Sequence, residues 1–147
     1  MILDRTGLFS ENQAITATSA STNVIDLGKT GTPYGASSAL RRDVGRGNPV
    51  PLYVGVTETF NNLTSLTITI QTDDNAAFSS PTTAWTSPAY AAADLVPGAR
   101  HLLPDELPVG VNEQFVRLMY TVAGTAPTTG KVTAGVTFAR QTNSGRY

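Results

Sequence analysis

The stretch Leu66-Thr67-Ile68-Thr69-Ile70-Gln71-Thr72 alternates apolar and polar residues without a break. That period of two places Leu66, Ile68 and Ile70 on one face of an extended strand and Thr67, Thr69 and Gln71 on the other, the signature of a half-buried strand. Two later segments repeat it. Val116, Leu118, Tyr120 and Val122 alternate with Phe115, Arg117, Met119 and Thr121, and Val132, Ala134, Val136 and Phe138 alternate with Lys131, Thr133, Gly135 and Thr137. The connector between them, Gly124 to Gly130, is rich in turn formers and suits a long hairpin loop, so the two segments are expected to lie side by side as antiparallel strands.

Upstream, Leu52, Val54, Val56 and Phe60 give a fourth alternating segment, introduced by Pro49 and Pro51, whose missing N–H groups suit a strand start or an edge. Asn61-Asn62 then turns the chain into the next strand. Shorter candidates are Ala14 to Thr18, Val24 to Leu27, Thr83 to Thr86 and Arg100 to Leu103, each bounded by Gly, Pro, Asn or Ser. The total is about eight strands. Stretches of modest helical character, Ser37 to Asp43 and Ala89 to Leu95, are short and interrupted. Eight short antiparallel strands in one domain spanning residues 1–147 predict an all-β, jelly-roll-like sandwich, in which two sheets cover each other's apolar faces. Two long segments lack strand character: an N-terminal arm, Met1 to Asn12, and a loop, Thr30 to Asn48. Loops of that length in a compact domain are usually functional or disordered, so a binding surface is expected there.

Composition narrows the function classes. A chain of 147 residues is one domain's worth, long enough to bury roughly 70% of its unfolded surface. Its polarity comes from Thr, Ser, Asn and Gln, since only 14% of residues are charged, and Thr with Val and Ile favours strands because β-branched side chains pack well on a pleated surface. A net charge of −1 speaks against a dedicated nucleic-acid binder, which needs a basic excess to neutralise phosphates. The absence of cysteine removes disulfides, zinc thiolate sites, iron–sulfur clusters and cysteine nucleophiles. Met1-Ile2-Leu3-Asp4-Arg5 has neither the basic nor the apolar region of a signal peptide, and no stretch approaches the ~20 apolar residues of a membrane span. Synthesis in the cytoplasm and no membrane partner are therefore expected.

Catalytic patterns fail one by one. Gly124 to Lys131 resembles a phosphate cradle, but five residues separate the glycines where the motif has four, Val132 stands where Ser or Thr binds magnesium, and a strand follows where a helix is needed. His101 is the single histidine, and no Gly-x-Ser-x-Gly elbow accompanies it. Asp73-Asp74-Asn75 is read as a turn in preference to a calcium site, because adjacent side chains diverge and the bidentate Glu of a calcium loop is missing. The other acids are scattered, so no glycosidase pair stands out. Arg41-Arg42 with Arg46 forms the one basic cluster, either a solvated loop or a docking contact to an acidic protein surface. Trp85 and Tyr90 are expected to be core or interface anchors before they are a sugar-stacking platform. Asn62-Leu63-Thr64 matches a glycosylation sequon that carries little meaning without secretion. The expectation is no enzyme, no cofactor, no metal and no small-molecule substrate.

Several runs together carry a resemblance: Met1-Ile2-Leu3-Asp4-Arg5-Thr6-Gly7-Leu8-Phe9-Ser10, then Ile15 to Thr18 and Asn23 to Gly28, then Leu66 to Phe78, and finally Pro127 to Gly135. As an ensemble spanning nearly the whole chain, they resemble the capsid cement, or decoration, proteins of tailed phages typified by the Bordetella phage cement protein. The resemblance implies a structural jelly-roll protein on the outer surface of a virion's icosahedral shell, made in the host cytoplasm. It implies bridging of major capsid protein subunits and self-association as a dimer or trimer at symmetry axes. Shell or self contacts are expected from the arm, through Leu8 and Phe9, and from the loop, through Tyr34, Arg41 and Arg42, which are apolar and Arg anchors in segments without strand pairing. The alternative is a receptor- or carbohydrate-binding β-sandwich module of a virion, which requires Trp85 or Tyr90 to lie exposed in a groove.

Overall fold

The computed structural model describes residues 3–42, 44, 47–98 and 102–138. Its strands are β1 (Leu3–Ala14), β2 (Ser19–Ala20), β3 (Ile25–Asp26), β4 (Leu52–Glu58), β5 (Leu63–Asp73), β6 (Thr82–Thr86), β7 (Tyr90–Ala91), β8 (Phe115–Gly124) and β9 (Lys131–Thr137), with one 3₁₀ turn at Ala92–Asp94. Two antiparallel sheets result. One has the order β1-β9-β4, and the other runs β2-β8-β5-β6, with β3 also paired to β8 and β7 to β5. The expected all-β sandwich is the fold.

The alternation at Leu66, Ile68 and Ile70 does what its period dictates: all three are completely buried, opposite Val122, Tyr120 and Leu118 of β8. From the other sheet, Phe9 of β1, Val54 and Val56 of β4 and Val132 and Ala134 of β9 join the same core cluster. Burial of each large aliphatic side chain contributes about 1.5–3 kcal/mol, so these facing rows hold the sheets together. One polar strut crosses the interior. The Tyr120 hydroxyl lies 2.8 Å from Ser10 Oγ, and Ser10 Oγ donates to Gln13 Oε1 at 2.7 Å, so the single proton of the phenol goes to Ser10. Burial pushes the Tyr120 phenol far up, which keeps that proton in place.

Three expectations are corrected. Residues 3–12, read as an arm without strand character, form most of β1; its pairing with β9 is broken by register shifts between Leu3 and Leu8, Leu8 and Ser10, and Ser10 and Gln13, and such bulges destroy the period of two. β8 and β9 are not a hairpin, since one belongs to each sheet and the connector carries the chain across the sandwich. Ala14 to Thr18 is the end of β1 and its link to β2, while Leu102 and Leu103 are buried in a bend; Arg100 lies outside the described residues. The loop assigned to 30–48 holds no strand among its described residues, only the isolated bridge of Val44 with Val111.

Three of the four sheet crossings, β1 to β2, β4 to β5 and β8 to β9, share one end of the sandwich, while the fourth, β3 to β4, runs at the other. Asn61, between β4 and β5, accepts from the Thr128 and Thr129 N–H groups at 2.8 and 3.1 Å and donates to Thr128 Oγ1 at 2.8 Å, which fastens that turn to the β8–β9 connector. The link from β1 to β2 joins them through the Ile15 N–H to the Gly130 carbonyl at 3.0 Å. Gly130 has φ 132°, and a Cβ there would stand 2.4 Å from the Phe60 ring, so no other residue fits. Gly130→Ala is expected to destabilise the protein by about 1–3 kcal/mol, read as a lower urea midpoint at unchanged slope; an unchanged midpoint would show that this end relaxes freely.

Candidate functional site

The opposite end of the sandwich carries the longest excursion of the chain. β3 closes with Asp26, whose carboxylate accepts the Gly28 N–H at 2.7 Å and the Gln114 side-chain amide at 2.8 Å. These two bonds, the Gln114 amide foremost, hold the Asp26 carboxyl below its ordinary range. Gly28, at φ 76°, then turns the chain outward. Fourteen residues later the Arg42 guanidinium donates to the Leu27 carbonyl at 2.8 Å and also to the Gly28 carbonyl, closing the base. Between these points the Leu40 N–H reaches the Gly31 carbonyl at 3.1 Å, and the Ala36 N–H reaches the Pro33 carbonyl at 3.0 Å. The second bond closes a tip turn, and the positive φ of Gly35, 81°, is what a type II turn demands of its third residue. The result is a closed loop of the Ω type, a finger with a clamped base, a tied neck and a tight tip.

Every residue from Gly28 to Arg41 is exposed. Tyr34, at the corner of the tip, is 109% exposed, and Leu40 beside the neck is 60% exposed. Two further large apolar side chains stand out at this end: Val109 at 63%, between Leu107, which bonds to Val50, and Val111, which bridges to Val44; and Phe138 at 75%, just past the last residue of β9. The four most exposed large apolar side chains among the described residues therefore lie at the end where β3 crosses to β4, away from the other three crossings.

The five residues singled out from the sequence divide. Leu8 and Phe9 are 7% and 1% exposed. Phe9 belongs to the core, and its carbonyl accepts the Asn23 N–H at 2.9 Å, so the arm is not the exposed segment from which these contacts were expected. Tyr34 and Arg41 are on the surface as expected. Arg42 is half-buried and engaged in the base clamp, with its Nε buried and unbonded among the described residues. Arg46 and His101 lie outside the described residues. Leu40 and Lys29 were missed; the signal was there, since both belong to the same Gly- and Ser-rich excursion, but exposure of Leu40 follows from the neck bond and not from composition.

Other candidates resolve into structure. Lys131 pairs with Glu58 at 2.7 Å, and strand β9 begins at Lys131 itself, so no phosphate cradle is built. Asp73 is a turn residue, its carboxylate accepting the Asn75 and Ser80 N–H groups, each at 2.9 Å. Among the described residues no three His, Asp or Glu side chains gather as a metal site requires. Trp85 and Tyr90 are half-buried and packed against the core cluster, which removes the open platform that sugar stacking needs. An open polar groove of about 610 Å³, lined by residues that include Arg5, Glu11, Thr22 and Asn23, runs between β1 and the segment before β3 and holds no paired catalytic groups.

Fold and surface define the class: a two-sheet antiparallel β-sandwich with one clamped, exposed finger. The model of the family Bbp16 matches residues 9–136, and the chain belongs to that family, whose name points to a Bordetella phage protein. No curated protein matches the chain.

Two outcomes follow from this geometry. Arg42→Ala is expected to destabilise the protein by about 1–2 kcal/mol through loss of the hydrogen bonds at the base, while hydrogen exchange at the Gly31–Leu40 neck accelerates; unchanged exchange would mean that the clamp does not hold the finger. At Asp73, burial pushes the carboxyl up, but the Asn75 and Ser80 N–H groups outweigh it, leaving it below its ordinary 3.8. Its ionised form thus stabilises the fold above that value, and the contribution disappears as pH falls through the lower native value. The gap in thermal midpoint between parent and Asp73→Asn should be widest at pH 6 and shrink below pH 3.8; a gap independent of pH would refute the charge argument.

Proposed function

We propose that this protein is a capsid cement protein, which binds the outer surface of an icosahedral phage shell and bridges major capsid protein subunits. Membership of a phage family over residues 9–136 carries the reading. The architecture supports it: the most exposed apolar side chains gather at one end of the sandwich, and Asp73 and Lys131, weighed for metal and phosphate binding, are engaged in a turn and an ion pair. The protein acts by binding and catalyses nothing. Its place is the outside of the virion, and its partners are the shell and a second copy of itself.

The physics of such a role needs only linkage. A ligand that binds the assembled shell and not its dispersed subunits stabilises the shell by mass action, about 2.7 kcal/mol per site at a hundredfold excess over Kd. Two moderate contacts made by one rigid molecule, or by a self-associated pair, gain further through effective concentration. Purified protein mixed with shells lacking it is expected to cosediment saturably and to raise the melting temperature of the shells. Absence of binding at high protein excess would defeat the cement reading and turn attention to the surface-recognition alternative.

A further inference from the structure

The finger has a charge that sets it apart from its own body. Between Gly28 and Arg42 stand Lys29, Arg41 and Arg42 with no acidic residue, in a chain of ten basic and eleven acidic residues; the remainder holds seven basic against eleven acidic and so carries −4. Arg42 is consumed by the base clamp and the Asp26 carboxylate there also acts on Lys29, while both Lys29 and Arg41 stay exposed on either flank of a stalk tipped with Tyr34. An exposed tyrosine on a turn that is already closed offers a large contact area for little ordering cost, and such pre-organised aromatics are typical anchors of protein interfaces.

We propose that residues 28–42 are a docking finger whose Tyr34 tip, with Leu40 beside it, enters an apolar pocket rimmed by carboxylates on the major subunit of the shell. This rests on the cement reading and names the surface that serves it. Three observations converge. The base is closed by two side chains: Asp26 bonded to Gly28 and Gln114, and Arg42 bonded to Leu27 and Gly28. The tip buries nothing against its own chain. The finger also leaves from the end that collects Val109 and Phe138, so a partner surface that receives Tyr34 meets further apolar side chains as it closes. Two exposed cations are too few for phosphate neutralisation of a nucleic acid, whereas they match a pair of carboxylates at the rim of a protein pocket.

The test uses the full chain, shells lacking it, and two variants, Tyr34→Ala and Arg41→Glu, both at exposed positions where the fold is indifferent to the side chain. Each variant is expected to fold with the parent's circular dichroism and thermal midpoint, and to bind shells about tenfold more weakly or worse. Trypsin should cut the free protein after Lys29 or Arg41 and spare those bonds on saturated shells. Parent binding with both variants equal to the parent overturns the finger and leaves the cement function standing. Failure of the parent itself to bind overturns both. Normal shell binding by the variants with loss of self-association would assign the finger to a second copy, which also overturns the inference as stated.

Discussion

The side chain of Asn61 holds together the two places where consecutive long strands change sheets. β4 and β5 lie in opposite sheets, as do β8 and β9, and each crossing has to turn the backbone over the roughly 10 Å between facing sheets. Such a turn exposes N–H groups with no ladder to join. Asn61 supplies the acceptor for two of them, at Thr128 and Thr129, while Thr129 Oγ1 returns a bond to the Thr59 carbonyl at 3.0 Å. The two turns thereby become one structure, and the third crossing, from β1 to β2, docks on it through Ile15 and Gly130. The buried Phe60 ring fills the space beneath, which is why Gly130 has no room for a side chain.

With the sheets tied at that end, their separation along the strands is set by what lies between them. Leu66, Ile68 and Ile70 face the interior from one sheet, and Val54, Val56 and Val132 from the other. At Ser10 and Tyr120 a polar pair spans the gap, and both hydroxyls are satisfied there, so the pair fixes the position of the bulged β1 without leaving either hydroxyl unbonded. A body closed in this way carries its stability in the core and at one end. The other end is free to hold a segment that contributes no burial, and residues 28–41 are such a segment.

The sequence disclosed faces better than neighbours. Period-two alternation states which side of a strand is buried, and at Leu66, Ile68 and Ile70 that statement holds without exception. It does not state which strand lies alongside, so β8 and β9, each correctly read as a strand and joined by a short turn-rich connector, were expected to pair and instead lie in different sheets. The alternation failed where the register failed. In β1, Leu8, Phe9 and Ser10 are buried consecutively because bulges rotate the chain between them, and a run of three inward residues reads as no strand at all. In β9, burial passes from Ala134 to Gly135 and Thr137 and leaves Phe138 outside, against the expected inward set. At the candidate site, the exposure of Tyr34 and Arg41 was legible from a loop without strand pairing. The inward duty of Arg42 was not, because its acceptors are carbonyls fourteen and fifteen residues back, and main-chain oxygens have no sequence signature.

The division between the two ends also orders the charges. Exposed pairs such as Lys131 with Glu58, near the crossings, satisfy each other within the molecule. At the finger, Arg42 donates to the Leu27 and Gly28 carbonyls, the Asp26 carboxylate at the base acts on both Arg42 and Lys29, and Arg41 stands exposed beside them. A protein that needed only to remain folded and soluble would gain nothing from gathering cations and an uncovered tyrosine on the same stalk, because like charges repel and an exposed ring is hydrated at a cost. In the proposed docking, a complementary surface would cover both at once, and forces on the finger would pass through Asp26 and Gln114 into β3 and β8, with β8 paired to β5 from Phe115 to Gly124.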